Sequence, residues 1–507
     1  MIIPDYVERH ARFYSDKKAL IFEDQQCTYR ELQDRVYRLA NGLIKLGLRE
    51  NDRVAVLAEN CFEFLDIYMG IPKAGGVVAP LNYRLLPRDI AHLIKYIDTE
   101  FLILDANFID MVNSIKGEIK KVKHFIVLKG SFEAMISYDR LMAESSSSNP
   151  GIKREMDDLF CLIFTGGTTG LPKAAMLTFR NLHNTSLFFM IEQGMDYGDV
   201  HLIITPLFHT GALWPLFVHM MLGNTQIVLR RFNVELAIDM IDKYKITNSL
   251  WLSSIIGPIL NHPVVVNNKK DISSLRLINI GGGPLPAVLA KRIIDTLGCL
   301  IIVGGGQTET GAFSMLRAND HIDTHPERMA SAGIPAINIE LKIVDENDEV
   351  VPSGVVGELV VRGESVMKGY WRMPEETATS LRGGWQHTGD LCKMDKDGFL
   401  YYVDRLKDMI KTGGENVYSK EVEDVLYTHP DVLEATIIGV PDETWGEMVK
   451  ALVVLKGEKQ ITEEEVITSC KKELAGFKCP KTVLFVDSLP KTAMGKVDKP
   501  ALRKQYQ

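Results

Sequence analysis

The run Thr165-Gly166-Gly167-Thr168-Thr169-Gly170-Leu171-Pro172-Lys173 combines residue types that suit a polyphosphate. Its glycines let backbone N–H groups come close to an anion, its threonines add hydroxyl donors, and Lys173 adds a point charge. Apolar stretches Leu159–Phe164 and Ala174–Leu177 flank it, so the segment reads as strand, loop, strand. A Walker A loop places Gly-Lys-Ser/Thr at the start of a helix. Here Leu171-Pro172 separate Gly170 from Lys173 and the exit is extended, which argues against a P-loop NTPase. Taken alone, the loop reads equally as a phosphate cradle or as a Gly/Thr-rich surface turn. Two further glycine runs are candidate walls of a site. Gly281-Gly282-Gly283-Pro284 follows Leu275-Arg276-Leu277-Ile278-Asn279-Ile280, and Gly304-Gly305-Gly306-Gln307-Thr308-Glu309 follows Leu300–Val303. Both are predicted as turns at the carboxyl ends of parallel strands, where such sheets bind ligands.

The surrounding elements must hold these loops. Thr28-Tyr29-Arg30-Glu31 is a capping-box pattern, and Leu32, Val36, Leu39, Ala40, Leu43 and Ile44 recur at helical spacing until Gly47. Strand and helix patterns then alternate: strand 53–57, helix 62–73, strand 77–81, helix 88–97, strand 101–104. Beyond the phosphate loop the alternation resumes through helix 180–192, strand 201–205, helix 213–222, strand 225–229, helix 234–244 and strand 247–252. Such alternation predicts βαβ units and mostly parallel, doubly wound sheets. From 339 to 402 short strands with Gly and Asp turns predict a small β region, and beyond Asp404-Arg405 the pattern is mixed. The expected architecture is α/β: a large N-terminal domain (1–403) of doubly wound sheets plus a β region, then a smaller, mobile α+β domain (404–507). Glu144–Pro150 is polar and turn-rich and reads as a loop.

A chain of 507 residues, 46% hydrophobic and 24% charged, is that of an ordinary multidomain globular protein. Its net charge of −8 gives no electrostatic case for nucleic acid or an anionic membrane, so small-molecule partners are expected. The seven cysteines are scattered without a Cys-x-x-Cys pair, which suggests buried reduced thiols and not a disulfide framework or zinc site. Met1–Asp5 has no basic, apolar leader pattern, and no apolar run approaches membrane-spanning length. The cytoplasm is the expected location.

Laid in order, the motifs resemble those of the adenylate-forming superfamily, which comprises acyl-CoA synthetases, adenylation domains and luciferases. The resemblance covers nearly the whole chain and is closest to the acyl-CoA ligases. It rests on Thr165–Lys173, Pro206-Leu207-Phe208-His209, Gly306-Gln307-Thr308-Glu309, Gly357-Glu358-Leu359, Trp385–Asp390, Asp404–Asp408 and Pro490–Lys496. The resemblance implies a two-step reaction. A carboxylic acid, fatty or aryl/alicyclic, attacks the α-phosphate of ATP to give an acyl-adenylate and pyrophosphate; the thiol of coenzyme A then displaces AMP. Two unit charges about 4 Å apart interact by about 4 kcal/mol at an effective dielectric of ~20, so compensating charge is the physical requirement.

By the same resemblance, Thr165, Gly166, Gly167, Thr168, Thr169, Gly170 and Lys173 would cradle the phosphates. Thr308 would bond the α-phosphate, and Glu309, with Thr168, would hold Mg²⁺; a plain acid at a helix N-terminus is the other reading of Glu309. Gly281, Gly282, Gly283, Pro284, Gly306 and Gln307 would border the nucleotide, Asp390 would accept from the ribose hydroxyls, and Arg405 would assist. Lys496 would reach the carboxylate and α-phosphate in the first step. Lys407 corresponds to the hinge on which the small domain turns, and Gly413 and Gly414 would line the pantetheine passage. His209 would stand beside the reacting carboxylate, with Ala212, Leu213, Trp214 and Trp251 forming an apolar acid pocket. Thr210 occupies the place of an Asp found in amino-acid-activating relatives, so an amino-acid substrate is not expected.

Two positions depart from the family pattern. Gly166 replaces a hydroxyl-bearing residue, and Gly305 stands where an aromatic residue commonly stacks on adenine, which predicts weakened ATP binding. Rival readings are a carboxylate-activating enzyme that loads a carrier protein, for which Asp487-Ser488-Leu489 on a predicted strand is only a superficial cue, and a non-catalytic nucleotide-binding scaffold, disfavoured by Lys496 and Glu309. The oligomeric state is not encoded in any motif.

Overall fold

The computed structural model describes residues 1–165, 172–267, 270–281, 285, 287–457, 461–491 and 497–506. Local signals set the first elements. The Thr28 side chain accepts from the Glu31 amide while Glu31 accepts from the Thr28 amide, and this reciprocal cap opens the helix Tyr29–Lys45. Leu32, Val36, Leu39, Ala40 and Leu43 are buried along one face of it. The helices Phe64–Lys73, Pro87–Ile97, Phe179–Glu192 and Val234–Tyr244 fall within two residues of their predicted starts. All seven cysteines are free and buried.

By packing, the chain forms two compact units, residues 1–341 with 361–387, and residues 342–360 with 388–507. Among the described residues the first unit contains a nine-stranded and an eight-stranded sheet. Six neighbouring strands of the larger sheet run parallel: Leu300–Gln307, Leu277–Gly281, Asn248–Leu252, Val200–Ile203, Thr225–Val228 and Lys18–Phe22. The smaller sheet carries the parallel strands Leu159–Thr165, Val77–Pro80, Arg53–Leu57, Phe101–Asp105, His124–Leu128 and Ile136–Ser137. On one edge it continues antiparallel through Lys173–Thr178 and Gly369–Tyr370. The doubly wound α/β expectation is met.

One predicted turn is not a turn. The strand Leu300–Gln307 continues through Gly304-Gly305-Gly306, with a register shift between Gly305 and Gly306, and pairs antiparallel with Gly311–Arg317, so the reversal falls at Thr308-Glu309-Thr310. Glycine is a local turn signal, but here ladder pairing prevails over it. Glu309 therefore lies at the tip of a hairpin, and its alternative reading as a helix N-terminal acid is overturned. Gly311 closes the hairpin at φ 72°, and a Cβ there would come within 2.5 Å of Thr185 Oγ1. Only glycine suits that combination.

In the second unit, the strands Glu415–Val417, Ile410–Thr412, Gly446–Leu455 and Val432–Asp442 form a sheet joined by the parallel strand Thr482–Phe485. Helices Ser419–Tyr427 and Glu463–Glu473 contribute Val422, Leu426, Val466 and Cys470 to its core. The sequence places Val486 to Leu489 on a strand, but the strand Thr482–Phe485 ends before them and they form the run that follows it; Leu489 is buried with Ile438 and Leu452.

Candidate active site

The loop that carries His209 is fixed by side chains from the other sheet's side of the first unit. Asn60, buried, donates from Nδ2 to the carbonyls of Thr205 and Leu229 (3.0 Å each), and its Oδ1 accepts from the Leu207 amide at 2.8 Å. Tyr68 donates to the Leu207 carbonyl at 2.5 Å. Both backbone groups of Leu207 are thus satisfied by residues about 140 positions away, and buried backbone left unpaired would be costly. A cavity of about 510 Å³ opens at the same loop, lined by Asn60, Tyr83, Arg84, Thr205, Pro206 and Phe232 among others.

His209 caps the helix Thr210–Leu222 without a side-chain capping bond. The far end of this helix is anchored by buried histidines. His10 donates from Nε2 to the carbonyls of Met220 and Met221 (3.0 and 3.1 Å). His201 and His219 stack at 4.4 Å, and both donate to Asn248 Oδ1, at 2.6 and 3.0 Å. Burial lowers the His10 and His201 pKa values to about 4 and that of His219 well below its ordinary value. These rings stay neutral, as an anchor in an apolar core requires.

At the near end, Thr210 Oγ1 lies 3.3 Å from Thr308 Oγ1. The positive end of the helix dipole therefore adjoins the threonine expected to bond the α-phosphate. Trp214, one turn on, abuts the hairpin; a Cβ on Gly306 would come within 3.2 Å of its Cη2. Of the residues expected to form the acid pocket, Ala212, Leu213 and Trp251 are fully buried, Trp214 is 9% exposed and Gly281 is half-buried; none of them lines the cavity of about 510 Å³. Leu252, next to Trp251, pairs with Gly281.

On the hairpin's other side, Glu309 Oε1 accepts from the Tyr370 hydroxyl at 3.0 Å, and Lys173 Nζ stands 5.1 Å from the centre of the Tyr370 ring. Backbone bonds hold the group together: the Met367 amide donates to the Glu309 carbonyl (2.8 Å), and Tyr370 pairs with Ala175. Lys173 and Ala175 share a face of their strand, which puts the lysine diagonally opposite the tyrosine. Burial and the Glu309 carboxylate push the Tyr370 phenol well above its ordinary pKa, so it remains a donor. Thr165 pairs with Lys173 across the mouth of the phosphate loop. Gly166, Gly167, Thr168, Thr169, Gly170, Gly282, Gly283, Pro284 and Lys496 lie outside the described residues.

Tyr370 was not singled out by sequence reasoning, and neither was Asn60. A tyrosine on a two-residue edge strand has no local signature, and its partner Glu309 is 61 positions away.

In the second unit, Asp390 and Arg405 face each other on paired strands, with Arg405 Nε 2.8 Å from Asp390 Oδ1. Lys407 is exposed in a short 3-10 turn between two buried acids. Asp404 accepts from Ser419 (2.9 Å) and Asp408 from Arg503 (2.8 Å). Gly413 and Gly414 have φ of 59° and 83° and form the tight connection between strands Ile410–Thr412 and Glu415–Val417.

Gly305 has a local explanation. A Cβ there would come within 2.5 Å of the Phe313 ring and 2.7 Å of Ser314 Oγ. Phe313, buried on the adjacent strand, occupies the space an aromatic residue at 305 would need. Gly305→Tyr alone is therefore expected to lower stability by about 1–3 kcal/mol through overpacking, with Phe313→Gly in the same chain recovering part of the loss. Thermal unfolding of the single and double variants checks this.

With this geometry in place, comparison with known proteins is decisive at one point. A family model described as AMP-binding enzyme matches residues 7–371. The chain belongs to the AMP-binding enzyme family. The model of that family's C-terminal domain matches residues 421–496. This AMP-binding enzyme is 36% identical over 500 residues to a feruloyl-CoA synthase from an Amycolatopsis species, covering 98% of each chain. It is 32% identical over 509 residues to the fatty acid–[acyl-carrier-protein] ligase ScoC of Streptomyces coeruleorubidus, covering 98% of this chain and 95% of the relative. Among solved structures, ATP-bound MatB from Rhodopseudomonas palustris matches with a TM-score of 0.89 at 30% identity, covering 100% of this chain and 99% of that one. The AMP-binding enzyme is thus an adenylate-forming protein of the ATP-dependent acid–CoA ligase type. Among the described residues no helix is long and apolar enough to cross a membrane.

Proposed function

We propose that this enzyme converts an aryl or alkyl carboxylic acid lacking an α-amino group into its coenzyme A thioester by way of an acyl-adenylate. The observation that carries the reading is the Thr308-Glu309 hairpin, flanked by Thr210 on one side and by Tyr370 and Lys173 on the other. It sets hydroxyl donors, a helix N-terminus, a carboxylate and an ammonium around one turn, which is what a nucleotide phosphate chain and an incoming carboxylate require. The feruloyl-CoA synthase likeness and the apolar residues Ala212, Leu213, Trp214 and Trp251 support an aryl or alkyl acid.

In the first step the acid's oxygen bonds to the α-phosphorus and the bond to the bridging oxygen of pyrophosphate breaks. Thr308 and Lys496 would take up charge developing on the α-phosphate, with Thr165 to Gly170 and Lys173 holding the leaving group. His209 would orient the acid. Glu309 fits an Mg²⁺ ligand: it offers carboxylate oxygen, and among the described residues no group of three His, Cys, Asp or Glu side chains adds a preformed cage, so phosphate oxygens would supply further ligands. When bound, that ion would neutralise phosphate charge. Asp390, steadied by Arg405, would accept from the ribose. In the second step the thiol of coenzyme A loses its proton and attacks the acyl carbon as AMP departs. For this step the 404–507 segment would turn about Lys407 and bring Gly413 and Gly414 to the thiol arm.

The likeness to ScoC supports a second reading, in which a carrier protein's thiol replaces that of coenzyme A. Pyrophosphate exchange across straight-chain, branched, alicyclic and aromatic acids, followed by thioester assays with coenzyme A and with carrier proteins, tests both. We expect acid-dependent exchange and an acyl-CoA product. Thioester formed on carrier proteins alone would favour the second reading, and an enzyme that releases AMP with none of these acids would sink both.

A further inference from the structure

We propose that Tyr370 is a positioning residue that couples the acidic and basic halves of the phosphate site: its hydroxyl orients Glu309, and its ring face receives Lys173. The inference rests on the assignment of those two residues to nucleotide binding.

Three observations carry it. The hydroxyl donates to Glu309 Oε1 at 3.0 Å, which fixes the rotation of a carboxylate otherwise free to turn at a hairpin tip. The ring lies 5.1 Å from the Lys173 ammonium, within the range of a cation–π contact. Its backbone is held by pairing with Ala175 and by donation of its amide to Thr377 Oγ1 at 2.9 Å, while the Met367 amide, three residues earlier, ties the same segment to the Glu309 carbonyl. Opposite charges at a phosphate site tend to collapse onto each other and leave neither for the ligand. Here each is met by a different part of one rigid side chain, so both are held ready without a strong competing ion pair. Lys173 and Tyr370 are both half-buried, and the lysine can leave the ring for a phosphate oxygen at modest cost, because a cation–π contact short of full desolvation is weaker than a charge-assisted hydrogen bond.

The two halves of the role separate in two variants. Tyr370→Phe keeps the ring and its volume but removes the donor to Glu309; Tyr370→Leu removes both. Calorimetric binding of ATP is measured in EDTA and again with Mg²⁺, alongside the Mg²⁺ dependence of pyrophosphate exchange and thermal unfolding of each variant. We expect Tyr370→Phe to bind ATP in EDTA like the wild type while its half-saturating Mg²⁺ concentration rises about five- to tenfold. Tyr370→Leu should additionally lose about two- to fivefold in metal-free ATP affinity. A Tyr370→Phe enzyme with wild-type Mg²⁺ dependence overturns the proposal. So does a folded pair of variants that lose ATP affinity by the same factor in EDTA and in Mg²⁺, which is the mark of a merely structural residue. Either result leaves the function itself standing if the wild type binds ATP and exchanges pyrophosphate; a wild type that does neither overturns the function and the role of Tyr370 together.

Discussion

Lys496→Ala will slow acyl-adenylate formation by roughly 10²–10³-fold and leave thioester formation from a supplied acyl-adenylate nearly unchanged. The asymmetry follows from charge. In the first half-reaction a carboxylate approaches a polyanion, and at about 4 Å each pair of unit charges repels by about 4 kcal/mol at an effective dielectric of ~20. Removing one compensating ammonium exposes the transition state to that repulsion. In the second half-reaction the pyrophosphate has gone and the thiol meets an acyl carbon, so the same ammonium has far less to offset. Lys491, the other lysine of the Pro490–Lys496 motif, supplies the control. It is ion-paired with Glu434 at 2.8 Å, the two side chains being 39% and 37% exposed, and its backbone bridges to Val497. An exposed pair of this kind contributes about 0–1 kcal/mol, so Lys491→Ala should affect stability slightly and neither step strongly. Pyrophosphate exchange reads the first step, and coenzyme A consumption with synthetic acyl-adenylate reads the second. Equal losses in both would remove Lys496 from its assigned role.

The elements whose signal is local were legible in the sequence. The capping box at Thr28-Glu31, the alternation of strands and helices, and the apolar entry and exit of the phosphate loop depend on neighbours a few positions apart. What escaped depends on pairing across the chain. The strand Lys18–Phe22 joins the larger sheet by lying beside Thr225–Val228, more than 200 positions on, and no periodicity announces that partner. Gly304-Gly305-Gly306 read as a turn because glycine is a turn former, yet Gly311–Arg317 recruits it as strand and Phe313 fills the space that a side chain at 305 would take. The site divides the same way. Thr308, Glu309 and Lys173 announce themselves in short motifs, whereas Asn60, Tyr68 and Tyr370 act through side-chain hydrogen bonds to residues remote in sequence. Such residues follow from the fold and cannot be read before it.

Gly414→Leu should produce the reverse of Lys496→Ala: thioester formation falling by about 10²-fold with adenylation little changed. Gly413 and Gly414 are the two central residues of a hairpin connection, both with positive φ, the conformation that two-residue turns favour. They are not equivalent. A Cβ at 413 would come within 2.8 Å of the Trp445 indole, so substitution there disturbs packing. At 414 nothing lies within 4 Å of the added atom. A leucine at 414 therefore costs left-handed backbone strain of about 1–2 kcal/mol and no core contact, which the second unit's own sheet should tolerate. Its side chain projects into the open space through which the thiol arm is expected to pass. Gly414→Asn separates strain from bulk, since asparagine accepts the left-handed region more readily with a shorter side chain. If bulk is the cause, the asparagine variant keeps most of the thioester activity that leucine removes. Loss of pyrophosphate exchange in both variants would instead trace the defect to a distorted hairpin and withdraw these glycines from the thiol's path.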